Sequence, residues 1–202
     1  VIQLTLPGLD VPPPVAEHRF FFAAMPDPDT AVRLVGIAQR LHGENAGTRG
    51  LLHAGRLHVT LYSLGDFARL PGATLARACA AARRIDARSF RVTFDQLVSF
   101  NGRPGHCPLV LTGDAGLDQL VAFRQRLRGA LGEAGLRVSR ARFTPHVTLL
   151  YGQRRLGRYR IEPISWIVSE FVLIQSWLGR TRYDIVERWP LAGAGSSRSS
   201  PD

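Results

Sequence analysis

Two stretches decide the reading of this chain: Arg56-Leu57-His58-Val59-Thr60-Leu61 and Thr144-Pro145-His146-Val147-Thr148-Leu149. Each has the composition and length of a strand, and His-Val-Thr-Leu is common to both. Residues i and i+2 of a strand share a face. Each stretch therefore sets one imidazole beside one hydroxyl. Val59, Leu61, Val147 and Leu149 point the other way, toward a core. If the two strands lie together, two histidines and two threonines meet in one cleft. Two imidazoles that titrate near neutrality divide acid and base work between them. Paired hydroxyls hold the non-bridging oxygens of a phosphate. The set suits in-line displacement at phosphorus without a metal. Two alternatives stand beside it: ordinary sheet, where threonine is common, and a metal site built from His53, His58 and His146. Neither motif has a carboxylate or cysteine at ligand spacing.

Outward from these motifs, the pattern predicts mixed strands and helices. His18–Met25 reads as a strand, and Pro26-Asp27-Pro28-Asp29 opens a helix whose apolar stripe includes Val32, Leu34, Val35, Ile37, Ala38 and Leu41. A strand is expected over Arg56–Leu64 and a helix over Thr74–Arg84. Phe90–Phe100 and Pro108–Thr112 read as a hairpin about the turn Asn101–Gly105. Asp118–Glu133 reads as a helix ended by Gly135, followed by strands over Phe143–Tyr151, Ile164–Leu178 and Thr181–Leu191. The class is α+β with antiparallel sheet carrying the site. Residues 1–17 are expected to form an irregular arm, residues 18–191 the folded domain, and residues 192–202 a disordered tail.

The bulk numbers narrow the chemistry. All 26 basic residues of the 202 are arginine, and the net charge is +10. With no lysine there is no P-loop lysine, Schiff base or lysine-bound adenylate. No cofactor is called for. The positive balance points to nucleic acid or another polyanion. Seven arginines (Arg137, Arg140, Arg142, Arg154, Arg155, Arg158 and Arg160) fall within 24 residues that lack Asp and Glu. No apolar run is long enough to span a membrane. The lack of an export signal and the two isolated cysteines, Cys79 and Cys107, lead to the expectation of a cytoplasmic protein. A monomer is expected.

The two HVTL segments, the opening HRFFFAAMPD, the LGDF after the first motif and the lead-in RFTPHVTL resemble the 2H phosphoesterase superfamily. Within it, the similarity is to the 2'-5' RNA ligase-like group, also described as RNA 2',3'-cyclic phosphodiesterases. The carboxy-terminal WIVSEFVLIQSWLGRTRYDIVERWPL resembles that group's last strands. The resemblance implies a bilobal, pseudo-symmetric fold with two antiparallel sheets flanking a central cleft and helices outside. It implies hydrolysis of cyclic phosphates at RNA 3' ends to 2'-phosphates, without metal, and in some members reversible 2'-5' joining without ATP. Carried over, His58 is the general acid, His146 the base, and Thr60 and Thr148 bind phosphate. Two positions depart from the group: Tyr151 stands where many members have arginine, and Ser63 where an aromatic is frequent. Tyr62, which shares strand parity with His58 and Thr60, is expected to offer a stacking surface. Arg142, in phase with His146, or Arg154 beyond it, is expected to supply the charge absent at Tyr151. A small cyclic nucleotide as substrate, or a non-catalytic RNA-binding module, remain the other readings.

Overall fold

The computed structural model describes residues 14–44, 51–103, 105–139, 141–153 and 155–193. Most of the expected arm, the tail from residue 194, Arg140 and Arg154 lie outside them. The elements are β1 (His18–Ala24), α1 (Pro28–Glu44), a 3-10 turn (Ala54–Arg56), β2 (Val59–Phe67), α2 (Gly72–Arg83), β3 (Phe90–Ser99) and β4 (Cys107–Thr112). They continue with α3 (Asp118–Glu133), β5 (Val147–Gly152), β6 (Tyr159–Val168), β7 (Glu170–Trp177) and β8 (Arg182–Pro190).

The helices begin and end where local chemistry sets them. Pro28 occupies the first turn of α1, where its missing N–H costs nothing, and Asp27 accepts from the Thr30 amide at 2.9 Å. Helix α3 stops at Gly135, whose φ of +74° favours glycine. There the amides of Gly135 and Leu136 donate to the carbonyls of Gly132 and Leu131.

The strands form one antiparallel sheet in the order β6-β3-β4-β5-β2-β1-β7-β8. The two expected sheets are thus two four-stranded halves of one, with β1–α1–β2 and β4–α3–β5 as matching units. Each unit sends its second strand to the centre. The halves join where β5 meets β2, and among the described residues the ladder there is the single pair Val59↔Val147.

The expected strand over Ile164–Leu178 is two strands. Its apolar pattern runs through without a turn residue, yet β6 pairs with β3 in one half and β7 with β1 in the other. Only Ser169 separates them. In a flat sheet they would stand six strand spacings apart, about 29 Å. The sheet must therefore curl, and it does so around α3: Phe123 touches Phe90 of β3 and Phe171 of β7, at 5.7 and 5.0 Å between rings. The amide of Leu191 fastens the crossing by donating to the Ser169 carbonyl at 2.7 Å.

The main core lies on the helix-covered face. Leu34 and Ala38 of α1, Ala78 and Ala81 of α2, and Leu120, Phe123, Leu127 and Leu131 of α3 pack there against the strands. The alternation in β1 sends Phe20 and Phe22 into this core. Phe21 and Ala23 go to a smaller cluster on the other face, with Val172 and Ile174. That second face carries the site.

Candidate active site

Val59, Leu61, Val147 and Leu149 are all buried in the main core. Burying each contributes about 1.5–3 kcal/mol, so the core fixes which face the intervening residues take. The Val59↔Val147 pair sets the rest. In an antiparallel ladder, the residue before one partner stands opposite the residue after the other. His58 therefore faces Thr148, and His146 faces Thr60. The two motifs are related by a local two-fold about the pair that joins the halves. Each histidine comes just before its strand rather than inside it, because pairing begins only at Val59 and Val147.

Both imidazoles are pinned in the same way. Nδ1–H of His58 donates to the Arg56 carbonyl at 2.7 Å, and Nδ1–H of His146 to the Thr144 carbonyl at 2.7 Å. A carbonyl only accepts, so this bond selects the tautomer and leaves Nε2 as the nitrogen available for proton transfer. At His58, Nε2 accepts from the Thr60 hydroxyl at 3.1 Å.

A second shared device follows each threonine. Against β1, Ala23 pairs with Thr60 and Phe22 with Tyr62, which leaves Leu61 as an extra residue. Against β4, Val110 pairs with Thr148 and Leu109 with Leu150, which leaves Leu149 extra. These bulges shift parity by one residue. Tyr62, expected in the cleft, is consequently buried in the main core. Its hydroxyl donates to the Arg137 carbonyl at 3.2 Å and accepts from the Ser139 amide at 2.7 Å. It offers no stacking surface. The same shift brings Ser63 and Tyr151 to the cleft.

The cleft beside His58 has a volume of about 760 Å³ and takes in Thr60, Thr148, Tyr151, Arg56, Phe21 and Tyr183. Phe21 stacks on the His58 ring at 4.8 Å, and Tyr183 meets it edge-on at 5.7 Å. This burial pushes the His58 pKa down to about 4, against the Arg56 carbonyl, which favours the proton. Nearby positive charge on His146 and Arg56 lowers it further. His58 is therefore neutral at pH 7 in the empty cleft. His146 is walled less, with Phe100 edge-on at 4.9 Å. Tyr151 stacks on His106 at 4.2 Å, and burial raises its hydroxyl pKa.

Arg142 lies in the irregular segment leading to His146, not in a strand in phase with it. It lines a neighbouring recess of about 830 Å³ with Thr144, Pro145, Asp114, Arg155 and Arg158. Arg158 bonds Gln96 at 3.0 Å and Asp114 at 3.3 Å. His53 is exposed at the head of the 3-10 turn. Among the described residues, no three His, Cys, Asp or Glu side chains are grouped to hold a metal ion. Nor is any described helix long and apolar enough to cross a membrane.

Sequence reasoning missed Phe21, Arg56 and Tyr183. Phe21 and Arg56 were within reach of it: Phe21 is the odd member of three consecutive phenylalanines, and Arg56 sits two residues before His58 on the same parity. Tyr183 comes from β8, which only the topology brings alongside.

A pair of His-x-Thr motifs inverted across the junction of two α+β halves defines a two-histidine phosphoesterase fold. The chain belongs to the 2'-5' RNA ligase superfamily, whose family model matches residues 26–178. Among solved structures it is similar to E. coli LigT complexed with 3'-AMP, at 25% identity and a TM-score of 0.70 over 87% of this chain and 99% of that one. TT0787 of Thermus thermophilus shares the fold at 22% identity and a TM-score of 0.69, over 88% and 100% of the two chains. No curated protein sequence matches the chain.

Proposed function

We propose that this protein opens 2',3'-cyclic phosphates at RNA 3' ends to leave 2'-phosphates, by acid and base catalysis from His58 and His146 and without a metal. The observation that carries this reading is the inverted motif pair, with both Nδ1–H groups pinned to backbone carbonyls. Each histidine then has one nitrogen to react with, and the two approach a shared phosphate from opposite halves. LigT, a relative with this fold, has been solved with phosphate, ATP and NADP+ as well as 3'-AMP, which supports a phosphate-bearing nucleotide as ligand.

In the reaction, a water oxygen bonds to phosphorus as the bond from phosphorus to O3' breaks. His146 takes the proton from water, and His58 delivers one to O3'. The bond to O2' survives, so the product is a 2'-phosphate. When a 5'-hydroxyl replaces water, the same proton movements give a 2'-5' linkage, and no ATP is consumed because the cyclic ester is already activated. Thr60 and Thr148 hold the non-bridging oxygens. The Thr60 hydroxyl, bound to His58 in the empty cleft, turns to the phosphate and frees Nε2. The anionic substrate also offsets the burial that keeps His58 neutral, so the acid acquires its proton as the complex forms.

RNA rather than a cyclic mononucleotide is favoured by the recess beside His146, where Arg142, Arg155 and Arg158 face Asp114 alone. A preceding backbone phosphate fits there. The test compares an oligonucleotide ending in a cyclic phosphate with a cyclic mononucleotide, both in EDTA. The oligonucleotide is expected to have the higher kcat/KM. Equal values would assign the protein to small cyclic nucleotides, and loss of turnover in EDTA would end the metal-independent mechanism.

A further inference from the structure

A cyclic phosphodiester gains negative charge on its non-bridging oxygens as the fifth ligand arrives, and two threonine hydroxyls and two imidazoles supply only one net positive charge between them. Three arginines line the cleft: Arg19 of β1, Arg56 of the 3-10 turn, and Arg180 of the turn after β7, whose guanidinium lies toward the Trp177 ring at 5.4 Å. Arg19 is committed: its guanidinium grips Asp66 through two bonds of 2.6 and 2.8 Å. Arg56 differs. It has no ion pair with any described carboxylate, and its Nε is buried with no hydrogen-bond partner among the described residues. Its guanidinium lies over the Tyr183 ring at 4.5 Å, a contact that holds the fork in place. From there its charge is felt at both ends of the cleft, lowering the pKa of His58 in one half and pulling down on that of Tyr151 in the other.

We infer that Arg56 is a catalytic residue that binds the reacting phosphate, donating from its guanidinium to a non-bridging oxygen between His58 and Tyr151. The inference rests on the phosphodiesterase reading for the identity of the ester, but not for the location of the anion. An unpaired, partly desolvated guanidinium with an orphan donor is costly until an anion meets it. A phosphate oxygen satisfies the charge and the hydrogen bond together, and a planar fork matches phosphate geometry. Arg56 also holds His58 through its backbone carbonyl. Any side-chain substitution leaves that carbonyl in place, so the guanidinium can be removed without releasing the imidazole.

The test uses the full chain and two readouts. Calorimetric titration with inorganic phosphate is compared between the wild type and Arg56→Gln, and steady-state turnover is measured on a cyclic-phosphate oligonucleotide. Arg56→Gln is expected to weaken phosphate binding about tenfold or more and to lower kcat about 10²-fold, as loss of an oxyanion donor does. Arg56→Lys, which keeps the charge and loses the fork, should fall between. The double variant Arg56→Gln with Tyr151→Arg places a guanidinium in the same space from the facing half and should regain part of the lost affinity. Thermal unfolding separates these effects from misfolding. Phosphate binding equal in wild type and Arg56→Gln would overturn the inference, and so would a wild type that binds no phosphate. Phosphate binding that needs Arg56, in a protein that turns over no cyclic ester, would retain Arg56 as the anion site and discard the phosphodiesterase reading instead.

Discussion

The two halves of the site share a backbone and differ in their surroundings. Each has a histidine pinned through Nδ1 by the carbonyl two residues earlier, a threonine two residues on, and a bulge one residue after that. Around His58 the wall is aromatic and close: Phe21 stacks on the ring and Tyr183 closes its edge. Around His146 there is one edge contact and, beside the motif, a recess lined with arginine. Repetition of the backbone gives two equivalent bases. Unequal burial then makes them inequivalent: His58 is held neutral in the empty cleft, so its role as acid depends on the anionic substrate restoring its proton.

Removing either imidazole breaks the comparison outright. His58→Ala and His146→Ala are each expected to lower kcat about 10²- to 10⁴-fold, measured by release of phosphate-ended product from a cyclic-phosphate oligonucleotide. A large loss in only one variant would mean that the halves do not divide the chemistry.

Charge outside the cleft tests the second contrast. Arg142→Gln with Arg155→Gln should lower kcat/KM for an oligonucleotide more than for a cyclic mononucleotide. The salt dependence of oligonucleotide binding should also flatten, by about one in slope for each phosphate that is no longer neutralised. Equal effects on both substrates would place no backbone phosphate in that recess.

Opening the wall sharpens the asymmetry. His58 must carry a proton to act as the acid, so with its pKa at about 4 in the free protein the alkaline limb of kcat/KM is expected near pH 4, with activity falling as pH rises above it. Phe21→Ala, which unstacks and hydrates the ring, should move that limb upward toward the ordinary histidine value of about 6.5. The same depressed pKa bears on stability. A histidine held neutral in the fold binds fewer protons than in the unfolded chain, so stability is complete above about pH 6.5 and is lost as pH falls toward 4. Thermal unfolding of the wild type should therefore weaken across that window more than that of His58→Gln.

The smallest effect is expected at Tyr62. Tyr62→Phe removes the acceptor of the Ser139 amide and the donor to the Arg137 carbonyl, both on exposed residues, and should cost about 0.5–1.5 kcal/mol in denaturant unfolding, with kcat unchanged. A large fall in kcat with stability preserved would return Tyr62 to the cleft.

These contrasts mark what was legible in the chain. Strand parity correctly set Val59, Leu61, Val147 and Leu149 against the core, and it put the two His-x-Thr pairs on the opposite face. Parity failed at Tyr62 because a bulge inserts one residue, and nothing in the run His-Val-Thr-Leu-Tyr announces a bulge. The Val59↔Val147 junction was out of reach as well, since pairing between residues 88 positions apart is decided by the packing of both halves. At Ser169 the sequence misled for a related reason. The buried alternation Ile164, Trp166 and Val168 of β6 runs almost directly into the buried Phe171, Val172, Leu173 and Ile174 of β7, so one residue turns the chain between halves without leaving a turn signature. The arginine-rich segment, expected to form a field that attracts phosphate, is in part engaged by carboxylates that its own sequence lacks. Arg158 and Arg160 are occupied by Asp95 and Asp114 from β3 and the loop after β4, and the arginine with an unsatisfied buried donor, Arg56, lies outside that segment.

The central claim is that both histidines act on one cyclic phosphate and that the bond to O3' is the one broken. The direct measurement is product analysis, in EDTA, of an oligonucleotide ending in a 2',3'-cyclic phosphate, treated with the wild type, His58→Ala or His146→Ala. The account expects a 2'-phosphate from the wild type and unreacted cyclic ester from both variants. A 3'-phosphate product, or turnover that survives in either variant, would contradict it.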